Sequence, residues 1–440
     1  MSSGSLAGMS PVTKWGRRHT VFLIVSVVNL VVWLDSGIFG ALTPYWSKAM
    51  HLTPTQIGTA SSAYLLGYFP LLLVAGVLAD RFSAKSMLLL CLGGVTIMSA
   101  SMLAVDTYTL LFLRNLLFGV FFGFLWAPCN RMMAMWLTGP ERARYTAIWM
   151  SFTLGSFIIA APLGLLIAAH FAWRDAFGVV TLLGIPMFFI LLTKTTDQPE
   201  QDRRALPEEV AYINQGRASR EQMKSEGFRW SDLRKALNQR SVLWMIIATG
   251  LTTTPTWLIG TWGTYGLIND FHLSAGQTSL WIDLMLVVPV AFGFANGWVV
   301  NRLFGGRTRP ALAIGPVVGG VGFILAALLH SNYIAWVGFL YAVGYMADPL
   351  FWGTVNAYWS GLTKPEFTGT LNGISAALQV AIGYLLVSNS GNWVNTHVTG
   401  VASLNTIWII GGVVFFAGAV PVLLSREVRL RLTQVAQTDA

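Results

Sequence analysis

Twelve apolar runs, each long enough to cross a lipid bilayer, are the feature of this sequence that most restricts its fold. The hydrocarbon core of a bilayer is about 30 Å thick, so a spanning α-helix needs roughly 20 apolar residues. Hydrocarbon offers no hydrogen bonds to the backbone, and a helix satisfies its own N–H and C=O groups. We therefore predict membrane helices at residues 20–44, 57–78, 87–104, 108–130, 145–168, 175–194, 241–266, 277–300, 310–329, 333–358, 369–389 and 403–424.

The composition and the placement of charge agree with this interpretation. Apolar residues make up 54% of the 440-residue chain and charged residues 11%, which excludes a soluble globule. The net charge of +9 does not indicate a nucleic-acid partner, because 25 of the 28 Lys and Arg residues fall on one side of the predicted membrane. We expect a multi-pass protein of the plasma membrane, the inner membrane of a bacterium, with both termini and the central loop in the cytoplasm.

The apolar runs divide the chain into five segments. The long polar connector between the sixth and seventh runs contains two stretches with amphipathic helical spacing, 206–213 and 230–237, and we expect it to lie along the membrane surface. The predicted segments are a cytoplasmic N-terminus at 1–19, a six-helix bundle at 20–194, the connector at 195–240, a second six-helix bundle at 241–424 and a cytoplasmic tail at 425–440.

A short polar motif occurs twice, each time between two apolar runs. The first copy is Gly76-Val-Leu-Ala-Asp-Arg-Phe-Ser-Ala-Lys85, and the second begins Gly297-Trp-Val-Val-Asn-Arg302 some 220 residues later. Glycine allows a neighbouring helix to approach closely, and the charged residues can pair across helix ends that move. The repetition predicts two related halves.

This motif resembles the loop between the second and third helices of the major facilitator superfamily. The first copy has Ser83 where that family has a second glycine, and the second copy has Asn301 in place of aspartate. The resemblance implies an all-α membrane protein with twelve transmembrane helices in two six-helix bundles, which transports a solute by alternating access through a central cavity. It also implies a cytoplasmic gate formed by Gly76, Asp80, Arg81, Lys85, Asn301 and Arg302.

Other segments are similar to one branch of that superfamily, the anion:cation symporters, which carry organic anions with protons. These segments begin at Arg114, Asn130, Glu141 and Trp173. The chain departs from the sugar-acid members of the branch at two positions. Ser36 replaces the arginine of helix 1, and Phe122 stands where helix 4 of those members has the glutamate used in proton coupling.

Four charged residues lie well inside the predicted spans: Asp35, Arg114, Asp283 and Asp348. A charge at the bilayer centre costs about 2.5–3.5 kcal/mol on insertion scales, so each is a candidate functional residue. We predict that Asp35 is the protonation site and that Arg114 is its switching partner, which also binds a substrate carboxylate. The alternative is a fixed Asp35–Arg114 pair that joins two helices.

Aromatic and amide residues in helices 1, 7, 10 and 11 complete the predicted pocket. An amide that finds no hydrogen bond in hydrocarbon is costly, and a polar solute can supply that bond. Asp283 could instead face water near the periplasmic mouth, and Asp348 could cap backbone groups freed by Pro349. The predicted substrate-binding residues are Trp33, Arg114, Trp262, Tyr265, Asp283, Asp348, Asn356 and Asn372.

These observations favour a proton-coupled symporter for a small organic anion. The sequence has none of the hydrolase, metalloprotease or phosphate-loop motifs that an enzyme or a nucleotide-driven pump would need. The two cysteines, Cys91 and Cys129, lack metal-site spacing, so we expect no metal and no cofactor, and we expect a monomer. The alternatives are a transporter of a cationic or zwitterionic solute, a drug-type exporter and a uniporter.

Overall fold

A computed structural model describes residues 15–214, 237–362, 368–394 and 397–429 of the chain. Eleven helices in these ranges are long and apolar enough to cross a membrane, and a further helix of 28 residues, Pro54–Arg81, packs among them. The prediction of twelve membrane helices in two bundles of six is confirmed.

The N-terminal half contains helices α1 to α6. Their bounds are α1 Arg17–Ala41, α2 Pro54–Arg81, α3 Ala84–Ser101, α4 Tyr108–Phe122 continued by Trp126–Trp136, α5 Gly139–His170 and α6 Asp175–Lys194. The C-terminal half contains α7 to α12. Their bounds are α7 Arg240–Thr253 continued by Thr256–Tyr265, α8 Ala275–Phe304, α9 Thr308–Leu328, α10 from Tyr333 to Leu362, α11 Thr368–Ser390 and α12 Asn405–Leu424.

Three helices have an irregular segment with a proline within it or shortly after it. Proline has no N–H to donate, and its ring collides with the carbonyl four residues before it. Pro128 follows the break between the two parts of α4, and Pro255 occupies the break in α7. In α10 a π-helical segment, Gly338–Val343, and a 3₁₀ turn, Gly344–Met346, precede Pro349. Irregular backbone of this kind is common at functional sites in membrane helices.

The two copies of the repeated motif lie at equivalent junctions. α2 ends at Arg81 and α3 starts at Ala84, where the hydroxyl of Ser83 accepts a hydrogen bond from the N–H of Ser86 at 3.1 Å and caps the helix. α8 ends at Phe304, and the residue after it, Gly305, has a φ of +56°, a left-handed conformation that glycine adopts without strain. Each junction joins the second and third helices of its half.

We call the end of the molecule where α6 meets the connector the connector end, and the opposite end the far end. The described part of the connector folds back onto the start of α1, with a helix at 207–214. Glu209, 2% exposed, accepts hydrogen bonds from the backbone N–H groups of Arg17 and Arg18 at 3.0 Å each. Residues 215–236, which include most of the second predicted amphipathic helix, lie outside the described part.

Candidate functional site

Asp35 and Arg114 form a buried ion pair between α1 and α4. Nη2 of Arg114 lies 2.6 Å from Oδ1 and 2.5 Å from Oδ2 of Asp35, and the two residues are 4% and 0% exposed. The hydroxyl of Ser99 on α3 donates a further hydrogen bond to Oδ2. The structure thus brings together the two oppositely charged residues that the sequence predicts as partners.

The other nitrogen atoms of the Arg114 guanidinium group also donate hydrogen bonds. Its Nε donates to the carbonyl of Met98 at 3.0 Å, and its Nη1 donates to the side-chain oxygen of Asn115 at 2.9 Å. The rings of Phe118 and Phe177 lie 5.1 and 5.4 Å from its central carbon. Since all of these contacts come from the N-terminal half, the charge of Arg114 is neutralised and enclosed within one bundle.

Trp33, half a turn before Asp35, stands in a group of aromatic rings. Its ring centroid is 4.8 Å from that of Phe122 and 5.5 Å from that of Phe157. The ring of Phe122 also meets that of Tyr68 at 5.1 Å, and Phe122 is 2% exposed. Phe122, which replaces the glutamate of the sugar-acid members, is therefore part of an aromatic cluster beside α1.

The acids of the C-terminal half have different neighbours. Oδ2 of Asp348 lies 3.3 Å from the hydroxyl of Thr256, and Oδ2 of Asp283 lies 3.5 Å from the hydroxyl of Ser279. Oδ1 of each carboxyl is buried and has no hydrogen-bond partner among the described residues. Neither acid makes an ion pair within the described part of the chain.

The remaining predicted pocket residues that the structure describes do not line one common pocket. Trp262 is fully buried, and its indole N–H donates to the hydroxyl of Ser390 at 2.8 Å. Tyr265 lines a cavity of about 260 Å³ at the far end, together with residues of the N-terminal half such as Lys48. Asn372 lies half-buried near the start of α11, and the side chain of Asn356 is outside the described set.

Of the predicted gate residues, Lys85 is the one whose contacts the structure gives in detail. Its ammonium group donates to the carbonyl of Thr195 at 2.9 Å, and its backbone N–H donates to Asp197 at 2.8 Å. These bonds tie the start of α3 to the segment after α6. Arg302 lies exposed at the end of α8, and the surroundings of Gly76, Asp80, Arg81 and Asn301 are outside the described set.

At the far end the two halves meet closely. The hydroxyl of Thr55 donates to the side-chain oxygen of Asn392 at 2.7 Å. A Cβ atom added to Gly40 would lie 2.7 Å from the carbonyl oxygen of Gly260, and one added to Gly58 would lie 2.7 Å from that of Val387. Such distances are too short for any side chain, so glycine is what allows α1 to approach α7 and α2 to approach α11.

Two sets of contacts were not found from the sequence. The hydroxyls of Ser99 and Thr256 sit in apolar runs, where a single Ser or Thr gives no pattern that predicts an acid as its neighbour. At the connector end, Arg17 pairs with Asp202 at 2.7 Å and Arg18 with Glu141 at 3.1 Å. The high charge density of the connector was the available signal for these pairs, but it did not specify the partners.

Comparisons with known proteins agree with the fold. Of curated proteins, a hexuronate transporter of Bacillus subtilis is 22% identical over 72% of this chain and 71% of its own length. A gallate transporter of Pseudomonas putida is 26% identical over 94% of this chain and 93% of its own. A probable sulfoacetate transporter of Cupriavidus necator is 23% identical over 68% of this chain and 69% of its own length.

The solved structures that resemble the chain support the fold alone, since their sequence identity is low. The crystal structure of a D-xylose–proton symporter superposes with a TM-score of 0.71 at 14% identity, covering 92% of this chain and 97% of that one. The family model of the Major Facilitator Superfamily matches residues 25–388. The chain belongs to the major facilitator superfamily and is a membrane transporter similar to its anion:cation symporters, not an enzyme.

Proposed function

We propose that the protein moves a small organic anion across the membrane together with protons, by alternating access. Hexuronate, gallate and sulfoacetate, the solutes in the names of the similar transporters, differ in size and in ring structure but all carry a carboxylate. Shared chemistry of this kind supports the class of solute and not one compound. A carboxylate needs a cationic partner inside the membrane, and Arg114 is buried well inside α4, whereas Arg18, which is also buried, lies at the start of α1.

The buried Asp35–Arg114 pair is the observation that carries this proposal. When Asp35 binds a proton it loses its charge, and Arg114 is left as a buried cation without a counter-ion. Such a state is costly in a low-dielectric interior, so a substrate carboxylate that replaces Asp35 at Nη2 is bound more tightly when the proton is present. Proton and anion then stabilise each other's binding, which is the requirement for symport.

The absence of the family's helix 4 glutamate fits this assignment. Phe122 cannot titrate, and Asp35 is the acid that remains next to the buried arginine. The aromatic rings of Trp33, Phe122 and Tyr68 form an adjoining apolar surface. In the proposed site this surface packs against the carbon skeleton of the solute while Arg114 holds its carboxylate.

The proposal of alternating access depends on which end of the molecule is closed. The close contacts of Gly40 and Gly58 hold the far end shut in this conformation, so the solute exchanges from the connector end. In the opposite conformation we propose that Asp80 and Arg81 hold the connector end shut. If Lys and Arg mark the cytoplasmic side, the connector end faces the cytoplasm and the far end faces the periplasm.

A binding screen followed by a transport assay tests the proposal. Purified full-length protein is heated with gallate, glucuronate or sulfoacetate, and with amines of similar size as controls, because a ligand of the folded state raises the unfolding temperature. We expect at least one carboxylate to stabilise the protein and then to accumulate in proteoliposomes when a proton gradient is imposed. Stabilisation by amines alone would contradict the anion assignment, and uptake that ignores the proton gradient would contradict symport.

The second candidate is a transporter of a cationic solute. It is favoured by one observation, the two carboxyls of Asp283 and Asp348, which have no ion-pair partner in the described part of the C-terminal half. In that case the acids would bind the solute's charge, and amines would be the stabilising compounds in the same screen.

A further inference from the structure

The irregular parts of α7 and α10 meet at Asp348. α7 is interrupted at Thr254 and Pro255, and its second part starts at Thr256, whose hydroxyl approaches the Asp348 carboxyl. α10 changes from π-helical to 3₁₀ backbone over the residues that lead to Ala347, immediately before Asp348. Discontinuous helices that meet in the middle of a transporter are typical of a site that binds a coupling ion or a solute.

The hydrogen bonds around Thr256 indicate the protonation state of Asp348. Its hydroxyl oxygen lies 2.7 Å from the carbonyl oxygen of Thr253 and 3.3 Å from Oδ2 of Asp348. A hydroxyl carries one hydrogen, and the shorter distance assigns it to the carbonyl. The lone pairs of Thr256 are then free to accept a hydrogen, and a protonated Asp348 is the neighbour that can donate one.

Among the residues that the structure describes, no cation compensates a negative charge at this position. Oδ1 of Asp348 is buried without a hydrogen bond among the described residues. In the described helices that pack against α10, the basic residues stand near the connector end, at Arg240, Arg302 and Arg309. α10 continues for about 20 Å from Asp348 to its own connector end, at about 1.5 Å per residue.

The other titratable groups around Asp348 cannot balance its charge either. Tyr345 interacts electrostatically with it, and the phenols of Tyr341 and, from α2, Tyr64 lie close to Tyr345. The remaining acid of the neighbouring α8 is Asp283, which would repel a carboxylate. A phenol is neutral at physiological pH, so a charged Asp348 would be a buried carboxylate without a counter-ion, which is among the most costly states in a protein.

We infer that Asp348 is a second proton-binding site, located in the C-terminal half, and that it is protonated in the conformation described here. The neutral carboxyl donates its hydrogen to Thr256, which in turn donates to the carbonyl of Thr253 at the break in α7. Proton release leaves a carboxylate that requires water, so release follows when a change of conformation exposes Asp348 to solvent. The role of this proton in transport rests on the proposed symport, whereas the protonation is independent of any solute.

Infrared spectroscopy of the full chain in an alkyl maltoside detergent, which has no carbonyl group of its own, tests this inference without a solute. A neutral carboxylic acid has a carbonyl stretch that a carboxylate lacks, and the stretch shifts in deuterated water. At neutral pH we expect the wild-type protein to show such a band, the Asp348→Asn variant to lose it and the Asp35→Asn variant to keep it. We also expect the band to disappear as the pH is raised. Thr256→Val should move the band to higher frequency by removing the acceptor, and Thr256→Ser should leave it in place.

Three outcomes would overturn the inference. One is a wild-type spectrum without the band, a second is a spectrum of Asp348→Asn in which the band is as strong as in the wild type, and the third is a band that persists at every pH at which the protein stays folded. Asp283→Asn is the matched control, since it is the same substitution in the same half. Because no solute is present, a failed solute screen leaves this test intact, and a failure here does not affect the Asp35–Arg114 proposal.

Discussion

The first and fourth helices of the two halves hold an acid in two different ways. In the N-terminal half, Asp35 on α1 meets Arg114 on α4 and forms an ion pair with short, charge-assisted hydrogen bonds. In the C-terminal half the acid is on the fourth helix, α10, and its neighbour on α7 is the hydroxyl of Thr256. One acid is paired with an arginine, and we infer that the other is neutral because no cation lies beside it in the described part of the chain.

Each half therefore has a buried acid on its first or fourth helix, but the surroundings of the two acids differ. We propose a different role for each acid. In the proposed mechanism, the carboxyl beside arginine is charged until a proton and a competing anion arrive together. A carboxyl beside a hydroxyl that has already donated its hydrogen binds a proton without any anion. We therefore propose that the N-terminal half couples protons to a solute and that the C-terminal half binds a proton until water reaches it.

Arg114→Ala should have the largest effect on stability and on transport. The substitution leaves the Asp35 carboxylate buried without its partner, and breaking a buried pair in this way costs about 3–5 kcal/mol. We expect a clear fall in the unfolding temperature of the purified protein and no transport. Arg203→Ala, which removes an exposed arginine of the connector, is the matched control and should change neither.

The double variant Asp35→Ala with Arg114→Ala distinguishes the loss of the ion pair from the loss of side-chain packing. Removing both charges is less costly than removing one, so the double variant should unfold at a higher temperature than Arg114→Ala alone. A double variant that is less stable than the single would show that Asp35 is not stabilised by Arg114.

Asp35→Asn should have the next largest effect on transport. The amide imitates the protonated acid, so the carrier can still exchange solute across the membrane but cannot use the proton gradient. We expect gradient-driven accumulation to be lost and counterflow exchange to remain. If this variant accumulates solute normally while Asp348→Asn does not, coupling resides in the C-terminal half.

Much of this arrangement could be predicted from the sequence, for physical reasons. The apolar runs predicted each span, and the positive and negative charges within the N-terminal half predicted the Asp35–Arg114 pair, because a buried charge needs a partner. Pro128 and Pro255 indicated bent helices. The Thr256 hydroxyl could not be assigned, since its contact depends on the relative rotation of α7 and α10. Nor did the sequence show which glycines of the far end face the other half.

Asp80→Asn should have a moderate effect, confined to the rate of transport. We propose that Asp80 helps to hold the connector end closed in the opposite conformation, so its loss should slow the cycle several-fold and leave the solute's stabilisation of the protein unchanged. Initial uptake rates and the ligand-induced shift in unfolding temperature, measured on the same preparation, test this. A lost shift with a normal rate would place Asp80 in the binding site.

Gly58→Val should have a smaller effect, on the balance of conformations. A side chain there collides with the carbonyl of Val387 and weakens the far-end closure. In a variant with cysteines at positions 55 and 392, we expect oxidation to form a disulfide in the Gly58 parent and to form less of it with Gly58→Val. Gly178→Val, at a glycine with open space around it, is the control. Both native cysteines are buried and should not interfere. Equal cross-linking in all three proteins would contradict the proposed closure.

The comparison of Asp35→Asn with Asp348→Asn in thermal unfolding tests the central claim most directly, since the two variants make the same change at the two acids. An amide in place of a carboxylate leaves Arg114 without its counter-ion, and we expect Asp35→Asn to cost about 3 kcal/mol or more. An amide in place of a neutral acid removes no charge, so Asp348→Asn should cost about 1 kcal/mol or less. Equal losses, or a larger loss for Asp348→Asn, would contradict the claim that the first acid is ionised and the second is neutral.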